Sequence, residues 1–512
     1  MLLQEKPLYV RILVVMFLTL LCLGIILGPT LRRNASGPTI KWHKITTLKG
    51  DLLPDFSFSG YHASNQSLPA VKKTPRLTLA PTNGDQTQRI QEALNQTASA
   101  GGGIVALEKG NFTISSGLSI PSGVTLRGAG PGQTRLISTQ QPVSPLITLG
   151  TGGSPAKVLV RANITDSYVP IGTTVLNVSD TAGFSPGQSV YVQRAVTADW
   201  VRYNGMSDLV RNGVNQTWLQ GTQINLLVPL TDSLDAAYMQ PEILAYKAPV
   251  LNSEIGIDQL SIYLKSSCSG SPLSKPACNG AAISFAPWTV DSWARNLVLS
   301  GFNQFVDIQY DASRITVQDV AMFRDADTTG VAIPSDIWIK GSQILVKDCG
   351  QYGLKTAEAF SVMTGSLTPG PNAVLRHVTQ SGLQSIYPHQ RWAQGLLVED
   401  SSVPVYFVNR DTKGTGQGWS INGGVGWNLR GDTSFESAPL GINWCIGCSG
   451  DAGQQGNGTF INQGTQAHDV IECLTAWVTS PVFSCSQDGL SLFKPHHKTA
   501  LLYKPSVMQI PR

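Results

Sequence analysis

Short runs of alternating apolar and polar residues fill the chain from about residue 254 to residue 429, with glycine, asparagine or aspartate between them. Corresponding runs recur at intervals of roughly 20–30 residues, the size of one turn of a solenoid. No single turn would be stable, because each buries its apolar face only against its neighbours. The pattern predicts a solenoid of stacked strands. The predicted strands are Ile255–Tyr263, Ala282–Phe285, Asn296–Leu299, Phe305–Gln309, Arg314–Val320, Ile337–Ile339, Gln343–Lys347, Phe360–Met363, Ala373–Val378, Gly395–Glu399, Val405–Val408 and Gly424–Leu429.

An amphipathic helix precedes the first strands. Ile90, Ala93 and Leu94 recur at helical spacing, Asp85 can cap the helix, and the triplet Gly101–Gly103 ends it. Short strands and turns follow. These are Ile104–Leu107, Gly110–Ile114 and Gly123–Gly128.

This opening resembles that of pectate-lyase-like proteins, a superfamily that includes pectate lyases, polygalacturonases and rhamnogalacturonases. The resemblance rests on the helix, the glycine triplet followed by Ile104-Val105, and the motif Gly-Val-Thr-Leu-Arg-Gly at residues 123–128. It covers residues 50–450. It implies an all-β, right-handed parallel β-helix in which the helix caps the open end of the solenoid.

The segment 156–248 breaks the solenoid pattern, because its strand-like runs have a different spacing. It is interpreted as a β-rich insertion. Trp200, Arg202, Tyr203 and Trp218 in this segment either form a ligand wall or pack the insertion against the solenoid. The expected organisation is a leader (1–33), a polar lead-in (34–75), an N-terminal cap with the first turns (76–155), the insertion (156–248), the main β-helix (249–450) and a C-terminal tail (451–512).

The leader carries an apolar run, Ile12–Leu27, behind Lys6 and Arg11. Its length falls between a signal-peptide core and a membrane span, so an uncleaved single-pass signal anchor and a cleaved signal peptide both fit. Eight Asn-x-Ser/Thr sequons follow, which favour a glycosylated extracellular or lumenal body, anchored or secreted. They are at Asn34, Asn65, Asn95, Asn111, Asn163, Asn177, Asn215 and Asn457.

Composition narrows the function classes. The 512-residue chain has 51 glycines and 30 prolines, and only 14% of its residues are charged, which favours short strands and turns over long helices. Its formal net charge of +4 comes from scattered Lys and Arg residues and is no nucleic-acid signature. The sequence does not predict an oligomeric state.

The cysteines suit an oxidising compartment. Cys268/Cys278 and Cys473/Cys485 are plausible local disulfides, although the sequence does not fix the pairing. The Cys445-x-x-Cys448 motif looks like half of a zinc site, but no second pair stands near it. Zinc is therefore disfavoured.

The richest chemistry lies between Ser381 and Trp427. One polar cluster, Pro388–Trp392, precedes a strand, and a second, Asn409–Asp411 with the glycine-rich Gly414–Trp419, follows the next strand. Arginine can fork a carboxylate and tryptophan can stack on a sugar, so the stretch predicts a site for a hydroxylated, anionic ligand. In the alternative, these are solvated turns and packing residues.

This pair of clusters also resembles a group of secreted pectate-lyase-superfamily proteins with a histidine–arginine–tryptophan and a glycine–tryptophan motif. Some relatives appear to carry histidine where this chain has Gln390 and Gln417. If those histidines are catalytic, activity here is in doubt, and a non-catalytic glycan-binding surface protein becomes the alternative.

The resemblance implies two possible reactions on carbohydrate. Hydrolases place paired carboxylates across the scissile bond, but the Asn-Thr-Asp, Asp-Asp, Gly-His-Gly and Arg-x-Lys signatures are missing from the sequence. Lyases remove the proton next to a uronate carboxylate. A lyase acting on acidic polysaccharide is therefore favoured, with hydrolase or epimerase activity as a weaker alternative.

Roles follow from that reading. His389 is the expected base or acid, Arg391 and Arg410 hold the carboxylate, and Trp392 and Trp419 stack on sugar. Further substrate-binding candidates are Asp411, Lys340 and Arg324. Asp325 and Asp327 are two carboxylates that could take Ca²⁺, the one cofactor that the resemblance suggests. His377 lies inside a predicted strand and is expected to be structural.

Overall fold

The computed structural model describes residues 46–448, except 72, 140–144, 154–155, 216–217, 228, 248, 265–280 and 325–333. The predicted leader Ile12–Leu27 lies outside this part of the chain. Within it, no helix is long and apolar enough to cross a bilayer.

Two long parallel sheets form the body of the molecule. Sheet A has 16 strands and sheet B has nine, and consecutive strands of each sheet pair in parallel from one turn of the chain to the next. The main path of sheet A contains Leu77–Leu79, Gly103–Leu107, Val124–Arg127, Gly256–Leu264, Thr289–Ser300, Ser313–Arg324, Leu345–Lys347, Asn372–Leu375, Leu396–Glu399, Val425–Trp427 and Trp444–Ile446. Its other strands are Gly110–Ile114, Thr134–Ser138, Asn252–Ser253, Gly350–Gly353 and Val378–Thr379. Sheet B contains Leu118–Ile120, Ile147–Leu149, Ala281–Phe285, Gln304–Ile308, Ser335–Ile339, Ala359–Thr364, Gln384–Pro388, Val405–Phe407 and Thr433–Phe435.

Inward-pointing apolar residues of both sheets form one continuous core. Ile283, Val306, Ile337, Val362 and Ile386 lie directly opposite one another on successive strands of sheet B, and all are buried. Each turn covers the apolar residues of the turn before it. This stacking explains why the sequence repeats its apolar positions without repeating its sequence.

The turns of sheet A bend at a shared corner. Gln259, Asn296, Asp319, Asp348 and Arg376 each have a positive φ, between 52° and 59°, at the point where their strand changes direction. A single left-handed residue turns the chain sharply while both flanking segments stay in the parallel ladder. Asn296, the first residue of a predicted strand, therefore lies at this corner.

The N-terminal cap is helix α1, Thr87–Ser99, whose buried face includes Ile90, Ala93 and Leu94. Asp85 accepts hydrogen bonds from the backbone N–H and the hydroxyl of Thr87, which holds the first turn of the helix. The helix covers the apolar end of the first strands, because its buried residues join the main core.

The insertion is a separate antiparallel sheet between the second and third turns. Its strand order is Gln223–Leu226, Val190–Ala195, Glu242–Lys247 and Lys157–Asn163. Helix α2, Ala198–Tyr203, begins at Thr197, whose hydroxyl accepts from the Trp200 N–H. Three two-stranded pairs complete the described strands: Val210–Arg211 with Val214–Asn215, Tyr168–Val169 with Leu234–Asp235, and Ala393–Gln394 with Ile421–Asn422.

The lead-in covers the outer face of sheet A. Leu53 and Phe56 are buried in a second apolar cluster with outward-pointing strand residues such as Leu345, Leu397 and Val425. The segment predicted to be a polar lead-in thus contributes apolar packing along the solenoid. The fold class expected from the sequence, an all-β right-handed parallel β-helix with an N-terminal capping helix and a β-rich insertion, is confirmed.

Candidate functional site

The outer face of sheet B carries aromatic and charged side chains. Asp307, Trp338, Met363 and Tyr387 lie opposite one another on four successive strands and point away from the core. Neighbouring strands are about 4.8 Å apart, so these side chains form a row along the solenoid axis. Trp338 and Tyr387 are half-buried, so each indole or phenol ring keeps an exposed part.

The residue directly after each of these four strands is, in chain order, Gln309, Lys340, Gly365 and His389. The backbone N–H of Lys340 donates to Ile308 O (2.9 Å), that of Gly365 to Ile339 O (2.8 Å) and that of His389 to Thr364 O (3.4 Å). Lys340 and His389 therefore lie two strands apart, or about 10 Å. The parallel ladder thus brings two of the predicted site residues to one edge of one face.

His389, Arg391 and Arg410 lie together, as the sequence predicted. The Arg410 Nη1 donates to His389 O at 2.6 Å, and the Arg410 guanidinium lies over the Tyr387 ring, 5.2 Å from its centroid. Arg391 donates to Gln390 Oε1 at 2.8 Å and to Thr415 O at 3.2 Å. The three side chains are half-buried.

The electrostatics of this cluster keep the imidazole neutral. Burial and, to a smaller extent, the positive charges of Arg410 and Arg391 together lower the pKa of His389 to about 4. At neutral pH the ring therefore carries no charge, while both guanidinium groups do. The arrangement is an uncharged base beside two fixed cations.

An aromatic surface surrounds the three residues. The Phe360 ring lies 5.4 Å from the His389 ring and 5.2 Å from the Tyr387 ring, and Tyr387 lies 6.1 Å from Tyr406. Sequence reasoning missed these rings and Trp338. The only signal was an aromatic residue at the same outward position of several strands, and this becomes visible once the register of the strands is known.

Lys340 is on the same face but is occupied by neighbours. Its ammonium group is 2.8 Å from Asp307 Oδ1, donates to Gln309 Oε1 at 3.3 Å and lies 4.3 Å from the Trp338 ring centroid. Burial raises the pKa of Asp307, and the charge of Lys340 opposes that rise. A ligand would therefore meet a paired ammonium group at this position.

Arg324 does not reach the site. Its side chain is buried and forms an ion pair with the buried Asp336, and it donates to Asn303 O at 3.1 Å. The substrate-binding role expected for Arg324 is corrected to an internal ion pair.

The two tryptophans assigned to sugar stacking are also corrected. Trp392 is fully buried and Trp419 is 3% exposed, because both pack against Trp200 and Trp218 of the insertion. The Trp392 Nε1 donates to Asp232 Oδ2 at 2.9 Å, and the Trp419 Nε1 donates to Asn204 O at 2.8 Å. These indoles attach the insertion to the solenoid and leave no ring face for a sugar.

A buried ion pair lies at the centre of this attachment. Arg194 and Asp232 are both buried and 2.9 Å apart, and the Arg194 guanidinium lies 4.4 Å from the Trp200 ring centroid. Asp232 also accepts from Asn422 Nδ2 at 2.6 Å. Of the two roles considered for the insertion aromatics, packing applies to Trp200 and Trp218, whereas Tyr203 is exposed and contacts Tyr238.

The remaining predicted site residues are placed as follows. Asp411 is exposed at the start of the glycine-rich loop, and its backbone carbonyl accepts from Gly418 N at 3.0 Å. His377 is buried and hydrogen-bonds Ser361, and burial lowers its pKa to about 4, as expected for a structural histidine. Asp325 and Asp327 lie outside the described residues, so the calcium site stays a prediction.

Five sequon asparagines are exposed in the described part of the chain: Asn65, Asn95, Asn111, Asn163 and Asn177. Asn34 and Asn457 lie outside it, and the placement of the Asn215 side chain is not described. Cys445 and Cys448 form a disulfide with each other, so this motif holds no zinc. The predicted Cys268/Cys278 and Cys473/Cys485 pairs lie outside the described residues.

Comparison with known proteins gives no match to a family model and none to a curated protein. Solved structures with a similar fold include the tailspike of Escherichia coli bacteriophage HK620, in complex with a pentasaccharide (12% identity over 75% of this chain and 57% of the tailspike, TM-score 0.36). The polygalacturonase of Erwinia carotovora is another (11% identity, 78% and 100% coverage, TM-score 0.34). A third is the surface protein and adhesin PfbA of Streptococcus pneumoniae (9% identity, 77% and 99% coverage, TM-score 0.33).

The chain is a parallel β-helix protein. That statement rests on its own strand pairing, since the match spans little more than half of the tailspike and the TM-scores are low. The resemblance to pectate-lyase-like proteins is therefore confirmed at the level of fold. The chemistry of the site has to be argued from its residues.

Proposed function

We propose that this protein acts on uronate-containing polysaccharide by proton abstraction and β-elimination, at the site formed by His389, Arg391 and Arg410. One observation carries the proposal: a neutral imidazole lies beside two guanidinium groups on an aromatic, half-exposed sheet face. Guanidinium groups bind a sugar carboxylate by paired hydrogen bonds, and half-exposed aromatic rings pack against the apolar face of a sugar.

The proposed reaction breaks one carbon–oxygen bond. His389 takes the proton from the ring carbon next to the carboxylate, and that electron pair forms a double bond to the adjacent carbon as its glycosidic bond breaks. Arg391 and Arg410 stabilise the negative charge that develops on the carboxylate. The leaving oxygen takes a proton from Tyr387, whose phenol is protonated at neutral pH, although burial raises its pKa and makes it a weaker acid.

Substrate binding also makes His389 a better base. The two arginine charges are among the causes of its low pKa. A carboxylate placed between them offsets that charge, so the pKa of the imidazole rises when the substrate is bound.

The test is a turnover assay on the purified body of the protein. A panel of acidic polysaccharides is incubated with the wild type, with and without a chelator, and the absorbance of a new unsaturated bond is followed. The expected result is absorbance with at least one substrate and its loss in His389→Ala. Cleavage without an unsaturated end would instead indicate a hydrolase, and full activity in His389→Ala would refute the assignment of the base.

A second candidate function is glycan binding without turnover. It is favoured by the low pKa of His389, since a base with a pKa of about 4 is weak, and by Gln390 and Gln417 at two positions where the resemblance implies histidine. Binding of acidic glycans on an array, with no product in the turnover assay, would support this function over the lyase.

We also propose an extracellular or lumenal location, with the body either anchored through residues 12–27 or secreted. The exposure of the five described sequon asparagines is compatible with glycan attachment. Expression in a eukaryotic cell followed by an N-glycosidase should lower the apparent mass of the protein. An unchanged mass would count against this location.

A further inference from the structure

The insertion packs against solenoid residues that lie far along the sequence from the point where the insertion begins. It begins after the second turn, yet its buried residues Trp200, Met206 and Trp218 pack against Trp392 and Trp419. Trp392 directly follows Arg391, and Trp419 ends the loop that begins after Arg410. The insertion therefore packs against the segments of the solenoid that carry the two arginines.

Two consecutive peptide groups connect the insertion to the two arginines. The Trp218 Nε1 donates to Gln417 O at 3.1 Å, and the same carbonyl accepts from Arg391 N at 3.3 Å. The next carbonyl, Gly418 O, accepts from Arg410 N at 2.8 Å. A single indole of the insertion thus holds the first of these two peptide groups, which binds the Arg391 N–H and is linked through Gly418 to the carbonyl that binds the Arg410 N–H.

The fit around this peptide is close. Gly418 has a φ of 57°, and a Cβ added there would lie 2.4 Å from the Trp218 Nε1 and 2.7 Å from the Met206 sulfur. A second indole bond, from Trp419 Nε1 to Asn204 O, attaches the next residue of the loop to the insertion. Because the packing around Gly418 is this tight, residues 417–419 have little room to move relative to the insertion.

We propose that the insertion positions the substrate-binding arginines, and that Trp218 is the positioning residue through its bond to Gln417 O. The expected effect on substrate binding rests on the proposed function, whereas the hydrogen-bond geometry around residue 417 is independent of it. Loss of the bond frees the 417–418 peptide, so that Arg391 and Arg410 no longer keep a fixed separation around the carboxylate. Misplacement of the two guanidinium groups weakens the binding of the transition state more than it lowers the stability of the fold.

The chain offers a matched pair of substitutions. Trp218→Phe removes an indole N–H that donates to Gln417 O, whereas the buried Trp200 Nε1 has no hydrogen-bond partner. The two rings lie 5.3 Å apart in the same cluster, so Trp200→Phe makes a similar change in packing without removing a hydrogen bond. Trp419→Phe is a second test variant, because it removes the other indole bond of the loop from the solenoid side.

The experiment compares the full-length variants by two readouts. NMR titration of the His389 ring needs no substrate, and affinity for a uronate oligosaccharide needs the proposed function. In Trp218→Phe, and to a smaller extent in Trp419→Phe, we expect the His389 pKa to rise towards its ordinary value as the guanidinium groups move away and water enters, with a loss of affinity of about tenfold. Trp200→Phe should change neither readout.

The outcomes separate the two ideas. If the His389 pKa shifts in Trp218→Phe while no uronate oligosaccharide binds the wild type, the positioning role stands and the proposed function fails. If the wild type binds and all three variants keep the wild-type His389 pKa and affinity, the positioning role is refuted. Equal shifts in Trp218→Phe and Trp200→Phe would also refute it, because general loosening of the cluster would then explain the result. Thermal melting of each variant confirms that it is folded.

Discussion

The outer faces of the two sheets are both built on a ladder of parallel strands, but one carries apolar side chains and the other carries charged and aromatic side chains. On sheet A, the outward row Leu345, Ala373, Leu397 and Val425 is apolar, and the lead-in covers it with Leu53 and Phe56. On sheet B, the outward row bears Asp307, Trp338 and Tyr387, and it ends beside His389 and Arg410. The face that the chain covers is stabilised by burial, and the face left open carries the proposed site.

This contrast also separates the tryptophans. Trp392 and Trp419 were predicted to contact ligand because they stand beside polar clusters in the sequence, yet the insertion buries both. Trp338 sits in an unremarkable strand and is half-exposed on the open face. Proximity in the sequence to charged residues therefore says little about which face of a strand an indole occupies.

The largest expected effect comes from breaking the buried pair that attaches the insertion. Asp232→Ala leaves Arg194 charged and buried without its partner, and it removes the acceptor of Trp392 Nε1 and Asn422 Nδ2. The free energy of unfolding should fall by about 3–5 kcal/mol, measured by chemical denaturation. Asp199→Ala, which removes an exposed pair with Arg202, should cost no more than about 0.5 kcal/mol. Equal losses would contradict the assignment.

The covered face should respond to truncation of Phe56, which is 5% exposed between the lead-in and sheet A. Phe56→Ala should lower the free energy of unfolding by about 3 kcal/mol, because it leaves a cavity in an apolar cluster. Affinity for acidic glycan should stay unchanged, since this face is remote from His389. A loss of affinity in a folded Phe56→Ala protein would break the proposed division of roles between the faces.

The open face should respond in the opposite sense. Arg410→Gln should weaken binding of a uronate oligosaccharide by about tenfold or more, roughly 1.4 kcal/mol, with a smaller effect on stability. The His389 pKa should rise, because the charge of Arg410 is one of the causes that lower it. Calorimetry and NMR titration measure the two effects. Arg430→Gln, which removes a cation paired with Asp400, serves as the control and should leave both unchanged.

A further effect on stability is expected from pH alone. His377 and His389 have folded-state pKa values of about 4, below the ordinary histidine value, so the unfolded chain binds protons that the folded chain does not. Stability should be full well above pH 6.5 and fall as the pH drops towards 4, by about 3 kcal/mol for the buried His377. His377→Gln should flatten this part of the profile. An unchanged slope in that variant would show that other groups cause it.

The sequence predicted much of the fold because its signals are local. Alternation, glycine-bearing turns and the apolar positions of Ile90, Ala93 and Leu94 indicated the strands and the capping helix without any long-range contact. The partners of the site residues were not local. Trp392 bonds to Asp232, a residue 160 positions earlier, and Trp419 bonds to Asn204, a residue 215 positions earlier. Such pairings depend on where the insertion docks, and no periodicity records that.

The site itself was predicted in part for the same reason. His389, Arg391 and Arg410 are close in sequence and lie on adjacent turns, so their grouping followed from the strand pattern. The aromatic surface did not, because the contact of Phe360 with Tyr387 and the shared row of Trp338 and Tyr387 become visible only when the register of three strands is known. Turns of unequal length hide that register from the sequence.

The most direct test of the central claim compares two ligands on the open face. A uronate oligosaccharide and its carboxyl-reduced counterpart are titrated into the wild type and into Arg391→Gln/Arg410→Gln by calorimetry. We predict that the wild type prefers the acidic ligand by at least about tenfold and that the double variant, still folded, has lost this preference. A double variant that keeps the wild-type preference would contradict the claim that these two arginines on sheet B bind an acidic glycan.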